Sequence, residues 1–203
     1  MVLTKRILSM QIHKIQIKSV MSIFEDNLNN VSNFKSLNDK LKKDTLDVGD
    51  KQNHSTNVKA SMTHWRMMTT HSSYQDLLKI IVSKIPLYAD IKQVQGSYPD
   101  LVCGDMWGAV YRKGQHTQEH AHSGVFSFTY YVQALKGCAP LIFNKPGYKK
   151  LQPQTGSLYI WKSEYSHYVP AEQDDNLRIV IAGNLGYFFG AVSKTIVSDP
   201  VEL

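Results

Sequence analysis

The chain has 203 residues, of which 42% are hydrophobic and 20% are charged, so it is long enough for a folded domain and too apolar to be disordered throughout. No apolar run reaches the roughly 18–20 residues that a membrane-spanning helix needs. Two cysteines are too few for a disulfide framework or a cysteine-based zinc module, and this low content predicts a reducing, cytoplasmic environment. The net charge of +6 is concentrated in residues 1–60, which hold ten basic and six acidic residues, so the remainder offers no obvious phosphate-binding surface.

Residues 1–60 are predicted to form a polar, basic, largely flexible N-terminal arm. Only two of the 21 aromatic residues, Phe24 and Phe34, fall within it, and it is rich in Asn, Lys, Ser and Asp. This composition buries little apolar surface, although a helix over 23–41 is compatible with it. The first twenty residues have the basic character of a short arm or a transit peptide, and an extension ahead of a start at Met21 is a third interpretation.

Residues 61–203 are predicted to form one domain in which a helix precedes many short strands. Ser73 is a predicted helix N-cap, aliphatic residues form a stripe over 77–85, and Pro86 is expected to end the helix. Short β-runs separated by glycine, proline and aspartate turns follow. The predicted strands are 107–112, 125–133, 141–144, 157–161 and 177–185. Many short strands without intervening helices are typical of an antiparallel sandwich or barrel.

Histidines give the first indication of chemistry. Segment 116–122 reads HTQEHAH, and side chains two apart on an extended strand share a face, so His120 and His122 are expected to point the same way. Two imidazoles on one face form a natural pair of metal ligands. The chain has eight histidines, however, so the pair by itself favours a polar strand end. A third histidine, His167, follows the strand predicted at 157–161.

Arg178 lies inside the predicted strand 177–185, where alternation places it on one face with Asn184. Both faces of this strand are largely apolar, so the guanidinium is expected to point into a barrel or cleft. A buried charge needs a partner, and the planar fork of arginine suits a carboxylate. That carboxylate belongs either to a bound ligand or to an internal ion pair with an Asp or Glu, and the sequence leaves both open.

The order of these motifs is recognisable. His-x-His, then Pro-x-x-Gly and a strand, then a histidine, then an arginine eleven residues later resembles the 2-oxoglutarate/Fe(II)-dependent oxygenase superfamily. The segments MWGAVYRKGQHTQEHAHSGVFSFTYYVQ, GSLYIWKSEYSHYVP and RIVIAGN are similar to a branch of oxygenases known mostly from marine bacteria and T4-like phages. The resemblance covers about residues 61–190 and leaves the N-terminal arm outside it.

This resemblance implies a mainly β fold, a double-stranded β-helix (jelly roll) with one or more flanking helices. It also implies that His120 and His167 are ligands of Fe(II). Most of the superfamily has Asp or Glu two residues after the first histidine, completing a facial triad of two histidines and one carboxylate. This chain has His122 there, and we expect His122 to be the third ligand.

The resemblance also assigns a co-substrate site. Arg178 is expected to hold the distal carboxylate of 2-oxoglutarate, and Tyr131 or Tyr130 to donate a hydrogen bond to the same carboxylate. Asn184 belongs to the terminal arginine-strand-asparagine element and is expected to be part of this site. The metal itself would supply the difficult chemistry, while the protein supplies orientation and a dry pocket.

The implied activity is hydroxylation of a substrate by O2, with release of succinate and CO2. The expected location is the cytoplasm (of the host if the protein is viral), without membrane association. The substrate stays open among a protein side chain, a nucleic acid and a small molecule, as does the oligomeric state. One alternative is a cupin-like metalloprotein of other chemistry. Gly114 and the histidine pair match the start of the first cupin motif. The glutamate that this motif requires is absent, because its place falls at Phe126 or Ser127. The other alternative is a non-catalytic jelly-roll binding module of a phage.

Overall fold

The computed structural model describes residues 21–49, 56–89 and 101–187. Within these ranges the chain forms eleven strands, two α-helices and two one-turn 3-10 helices. The strands are β1 Ile23–Asn27, β2 Val58–Lys59, β3 Ser61–Met62, β4 Leu101–Tyr111, β5 His116–His120, β6 Phe126–Gln133, β7 Leu141–Lys145, β8 Lys149–Leu151, β9 Ser157–Lys162, β10 Ser166–Val169 and β11 Arg178–Tyr187, and the helices are α1 Phe34–Gly49 and α2 Ser72–Ala89. Neither described helix combines the length and apolarity that crossing a membrane requires.

The strands form two antiparallel sheets. The larger has the order β1-β9-β6-β11-β4-β3, and the smaller has the order β2-β5-β10-β7-β8. In the larger sheet β11 lies between β4 and β6 and pairs with both along most of its length. This arrangement, with helices outside the larger sheet, confirms the predicted mainly β fold of the double-stranded β-helix type.

Alternation along the central strands builds two cores. Ile179 and Ile181 of β11 belong to a core that also contains the buried residues of α2, on the helix side of the larger sheet. Val180, between them, belongs to a second core that includes Tyr131 of β6 and Phe143 of β7, between the two sheets. Because each central strand is covered on both faces, its sequence is largely apolar rather than strictly alternating.

Residues 21–49 differ from the predicted flexible arm. Strand β1 pairs with β9 over five residue pairs. Helix α1 packs on β4 and α2, and Leu41 is fully buried. The prediction underestimated this segment because its few apolar residues, such as Leu37 and Leu41, are separated by lysines, aspartates and asparagines. Residues 1–20 lie outside the described residues, so a flexible arm there stays a prediction.

Helix α2 differs from its prediction at both ends. It begins at Ser72, so Ser73 lies within the first turn rather than at the cap. The buried Ser73 hydroxyl instead donates a hydrogen bond to Asp44 of α1 at 2.5 Å. The helix also continues past Pro86 to Ala89. The hydrogen bond between Ser73 and Asp44 connects the two helices on the outer face of the larger sheet.

The helices approach β4 most closely at Gly108. A Cβ atom there would lie 2.5 Å from both the Tyr74 hydroxyl and the Thr45 methyl group. Tyr74 and Thr45 also share a hydrogen bond of 2.6 Å between their hydroxyls, which is buried beneath the helices. The lack of a side chain at Gly108 therefore allows α1 and α2 to pack directly on the sheet.

Candidate metal centre

The structure brings His120, His122 and His167 together at one end of the smaller sheet. Strands β5 and β10 are antiparallel, with His120 and His167 directly opposite each other. His122 follows the end of β5, where its backbone N–H donates to the carbonyl of Ser163 at 2.9 Å. One ligand atom from each of the three imidazoles lies within 4.8 Å of the other two. This spacing allows all three to bind a single metal ion.

Backbone contacts orient two of the three rings. Nδ1 of His120 lies 2.8 Å from the carbonyl oxygen of Gln118, and Nδ1 of His167 lies 2.9 Å from that of Tyr165. In both cases Nδ1–H is the donor, because a carbonyl can only accept. The proton is thereby fixed on Nδ1, which leaves the lone pair on Nε2 available to a metal.

Burial keeps the three imidazoles neutral. It lowers the pKa of His120 below its ordinary value, and it lowers the pKa of His122 to about 4 and that of His167 to about 3. The neighbouring His120 lowers the last two further. Trp161 packs against the His167 ring, with centroids 5.0 Å apart. Near neutral pH all three rings therefore have lone pairs free for coordination.

The donor set consists of nitrogen alone. Among the described residues, the histidine cluster includes no carboxylate. Glu119, next to His120 in sequence, is exposed and accepts a hydrogen bond from the Ser166 hydroxyl at 2.7 Å. Three neutral imidazoles suit iron, nickel, copper or zinc better than magnesium or calcium, which prefer oxygen ligands.

A cavity extends between the two sheets from the histidines to Arg178. It is small, about 60 Å³, and therefore favours a compact ligand. Its walls combine the three histidines and Arg178 with aromatic, aliphatic and hydroxyl side chains. These side chains include Trp107, Tyr111, Thr117, Tyr131 and Trp161.

Arg178 is buried, with only 1% of its side chain exposed, and it has an internal partner. It forms an ion pair with Glu172, which is equally buried. Its guanidinium carbon lies 4.0 Å from the ring centre of Tyr111, a cation–π contact. Its Nη2 is buried and has no hydrogen-bond partner among the described residues. The sequence left open whether Arg178 forms an internal ion pair, and the structure shows that it does. Its Nη2 nitrogen remains available to a ligand.

Glu172 is the functional residue that sequence analysis missed. It lies in the loop before β11, in a polar stretch that also holds Asp174 and Asp175, and nothing in that stretch marks Glu172 as buried. Glu172 is not among the described residues that line the cavity. Glu172 therefore contacts Arg178 on the side away from the cavity, whereas Arg178 itself lines the cavity.

The structure separates the two predicted tyrosines. Tyr131 is buried and lines the cavity with Arg178. Tyr130 lies on the opposite face of β6, where its hydroxyl donates to Asn38 of α1 at 2.9 Å. Tyr130 therefore points away from the cavity, and of the two predicted alternatives only Tyr131 faces it.

Asn184 also lies away from the cavity. It is six residues beyond Arg178 on β11, a separation of about 20 Å along an extended strand. Its side-chain N–H donates to Asp105 and its carbonyl accepts from Ser127, both at 2.7 Å. Asn184 lines a separate open cleft together with Asp105 and His122. Asn184 is therefore too far from Arg178 to share a bound carboxylate with it, and its side chain instead forms hydrogen bonds with Asp105 and Ser127.

No protein-family model and no curated protein sequence matches this chain. Several solved structures are similar in fold. The viral collagen prolyl hydroxylase of Paramecium bursaria Chlorella virus 1, in complex with 2-oxoglutarate, is 12% identical, with a TM-score of 0.61 over 83% of this chain and 98% of that one. A prolyl 4-hydroxylase of Pseudomonas putida is 13% identical, with a TM-score of 0.62 over 83% and 94%.

A third similar structure is HygX of Streptomyces hygroscopicus, which holds nickel, 2-oxoglutarate and hygromycin B. It is 7% identical, with a TM-score of 0.59 over 83% of this chain and 84% of that one. At these identities the similarity establishes the shared double-stranded β-helix fold. The chemistry of this chain has to follow from its own site.

Proposed function

We propose that this protein is a 2-oxoglutarate/Fe(II)-dependent oxygenase. The observation that carries the proposal is the cavity that has three neutral imidazoles at one end and a buried arginine with a free Nη2 at the other. In the proposed reaction a substrate C–H bond, O2 and 2-oxoglutarate give the hydroxylated product, succinate and CO2. One oxygen atom enters the product and the other enters succinate. The resemblance to the branch from marine bacteria and T4-like phages is part of this proposal.

Each residue has a defined task in this proposal. His120, His122 and His167 would hold Fe(II), which supplies O2 activation and chelation of the 2-oxo acid when bound. The carbonyl contacts to Nδ1 keep two of the rings oriented with Nε2 toward the metal. Arg178 and the Tyr131 hydroxyl would bind the far end of the co-substrate.

The cavity walls support this assignment because buried aromatic and aliphatic side chains make up much of them. Trp107 and Trp161 are only 5% and 2% exposed and line the cavity beside the histidines. A dry, enclosed pocket strengthens the electrostatic interactions of bound groups and protects reactive species from side reactions. The open cleft that contains Asp105 and Asn184 also borders His122, so it offers a route for the substrate to the same metal.

The two alternatives account for fewer of these features. A cupin-like metalloprotein would use the three histidines but would leave the buried Nη2 of Arg178 without a ligand to bind. A non-catalytic binding module gives no role to imidazoles held neutral with converging lone pairs. The substrate class stays open, since the similar structures include collagen and prolyl hydroxylases as well as a protein with bound hygromycin B.

Substitutions of two neighbouring tyrosines test the co-substrate site. Calorimetric titration of the nickel-loaded protein with 2-oxoglutarate is expected to show binding that Tyr131→Phe weakens about threefold to tenfold, the effect of one lost hydrogen bond. The matched control is Tyr130→Phe, which removes a hydroxyl on the opposite face of the same strand and should leave this affinity unchanged. Equal effects of the two substitutions, or no 2-oxoglutarate binding by the nickel-loaded wild type, would contradict the proposal.

A further inference from the structure

Hydrogen bonds from two other loops position Glu172, the ion-pair partner of Arg178. Oε2 of Glu172 accepts a hydrogen bond from the backbone N–H of Ala139 at 3.0 Å. The backbone of Glu172 donates to the carbonyl of Gln115 at 2.9 Å and accepts from the N–H of Gly114 at 2.8 Å. Three contacts to two other loops thus fix Glu172 in place. These contacts hold its carboxylate beside Arg178.

The ion pair with Glu172 neutralises the charge that Arg178 would otherwise present to a ligand at the far end of the cavity. Arg178 and Glu172 together carry no net charge, and Arg178 is the only Lys, Arg, Asp or Glu among the described residues that line the cavity. The other polar groups near Arg178 are hydroxyls, including those of Tyr111 and Thr117, which lie 2.7 Å apart. The far end therefore provides hydrogen-bond donors without an excess positive charge.

A second carboxylate on Arg178 would gain little from its charge. In a buried site the attraction of a ligand carboxylate to Arg178 is opposed by repulsion from Glu172, because like charges disfavour each other at short range. A neutral carbonyl group can accept the same hydrogen bond from Nη2 without that repulsion. By contrast, a buried arginine without a counter-ion would discriminate strongly in favour of a carboxylate, since an unpaired buried charge is costly.

We propose that Glu172 is a specificity-determining residue, and that the cavity accepts 2-oxo acids with a neutral hydrogen-bond acceptor at the far end nearly as well as 2-oxoglutarate. The inference rests on the proposed function, because it concerns the co-substrate of the same site. The chemical class of these ligands is a 2-oxo monocarboxylic acid of about five or six carbons that carries a carbonyl or similar group at its far end. The role of Glu172 is to offset the charge of Arg178 from outside the cavity.

The test compares two acids on the nickel-loaded protein by calorimetry. One is 2-oxoglutarate, and the other is 2,5-dioxohexanoate, which has a methyl ketone in place of the distal carboxylate. In the wild type the two dissociation constants are expected to agree within about tenfold. In Glu172→Gln, which keeps the side-chain shape but removes the charge, the preference for 2-oxoglutarate is expected to rise at least tenfold, about 1.4 kcal/mol. Glu164→Gln removes a charge from an exposed position in the turn between β9 and β10 and should keep the wild-type ratio.

The ratio of the two affinities separates the possible outcomes. A wild type that prefers 2-oxoglutarate by more than about tenfold overturns this inference and leaves the proposed function intact. A folded Glu172→Gln protein with the wild-type ratio also overturns it. If Glu172→Gln does not fold, the wild-type ratio alone decides. A wild type that holds nickel but binds neither acid contradicts the proposed function, and this inference with it.

Discussion

At the scale of single residues, the neutral state of the buried histidines affects how stability depends on pH. Burial holds the pKa of His122 at about 4 and that of His167 at about 3, against 6.5 for an unshifted imidazole. Above pH 6.5 both groups are neutral in the folded and the unfolded chain, so they do not make stability vary with pH. Below pH 6.5 the unfolded chain binds protons that the folded chain does not, and the free energy of unfolding decreases as the pH falls.

We therefore predict that stability of the metal-free protein falls between pH 6.5 and 4.5, with each imidazole contributing up to about 1.4 kcal/mol per pH unit. Substitution His122→Gln should make this decline shallower, because it removes one of the three histidines whose pKa burial lowers. Urea unfolding at a series of pH values measures both slopes. Identical slopes in the wild type and the variant would show that His122 binds a proton as readily in the folded chain as in the unfolded one.

Residue chemistry was predictable where local pattern determines it. The histidine pair and the apolar setting of Arg178 follow from alternation along strands. The sequence could not show that Glu172 turns inward, since that depends on how the loop before β11 packs against two distant loops. Nor could alternation alone decide between Tyr131 and Tyr130, because both faces of β6 are buried and only the packing of the second sheet shows which face lines the cavity.

At the scale of elements, the five predicted strands correspond to β4, β6, β7, β9 and β11. Their end points differ from the predicted ones by at most two residues, except that β4 begins six residues earlier. They were predictable because they are runs of β-branched and aromatic residues bounded by turns. Short edge strands such as β2 and β3 have two residues each and no comparable signal. Helix α1 was underestimated because its burial comes from contacts with β4 and α2 rather than from its own hydrophobicity.

The close approach of the helices to β4 gives a test of this packing. Gly108→Ala would place a methyl group against Tyr74 and Thr45, so we expect a loss of about 1–3 kcal/mol in the free energy of unfolding. Gly104→Ala is the matched control on the same strand, because nothing lies within 4 Å of a Cβ atom there. Its effect should stay within about 0.5 kcal/mol. Chemical denaturation measures both, and equal effects would contradict the described packing.

At the scale of the whole molecule, the larger sheet separates two kinds of interior. One face carries the helices and a purely structural core, and the other faces the smaller sheet and encloses the cavity. Residues far apart in sequence meet in that cavity: two histidines from adjacent strands, one from a loop, and an arginine from the central strand. Motif order along the chain predicted this grouping, whereas the counter-ion of Arg178 required the folded structure.

The proposed function rests on the claim that the three histidines bind Fe(II) and that the cavity beside them holds a 2-oxo acid. Anaerobic titration of the protein with Fe(II) and then with 2-oxoglutarate, followed in the visible region, tests both parts together. We predict a charge-transfer band of the chelated 2-oxo acid that disappears in His167→Ala and persists in His116→Ala, which changes a β5 histidine outside the cluster. A folded wild-type protein that takes up Fe(II) but develops no band with 2-oxoglutarate would contradict the claim.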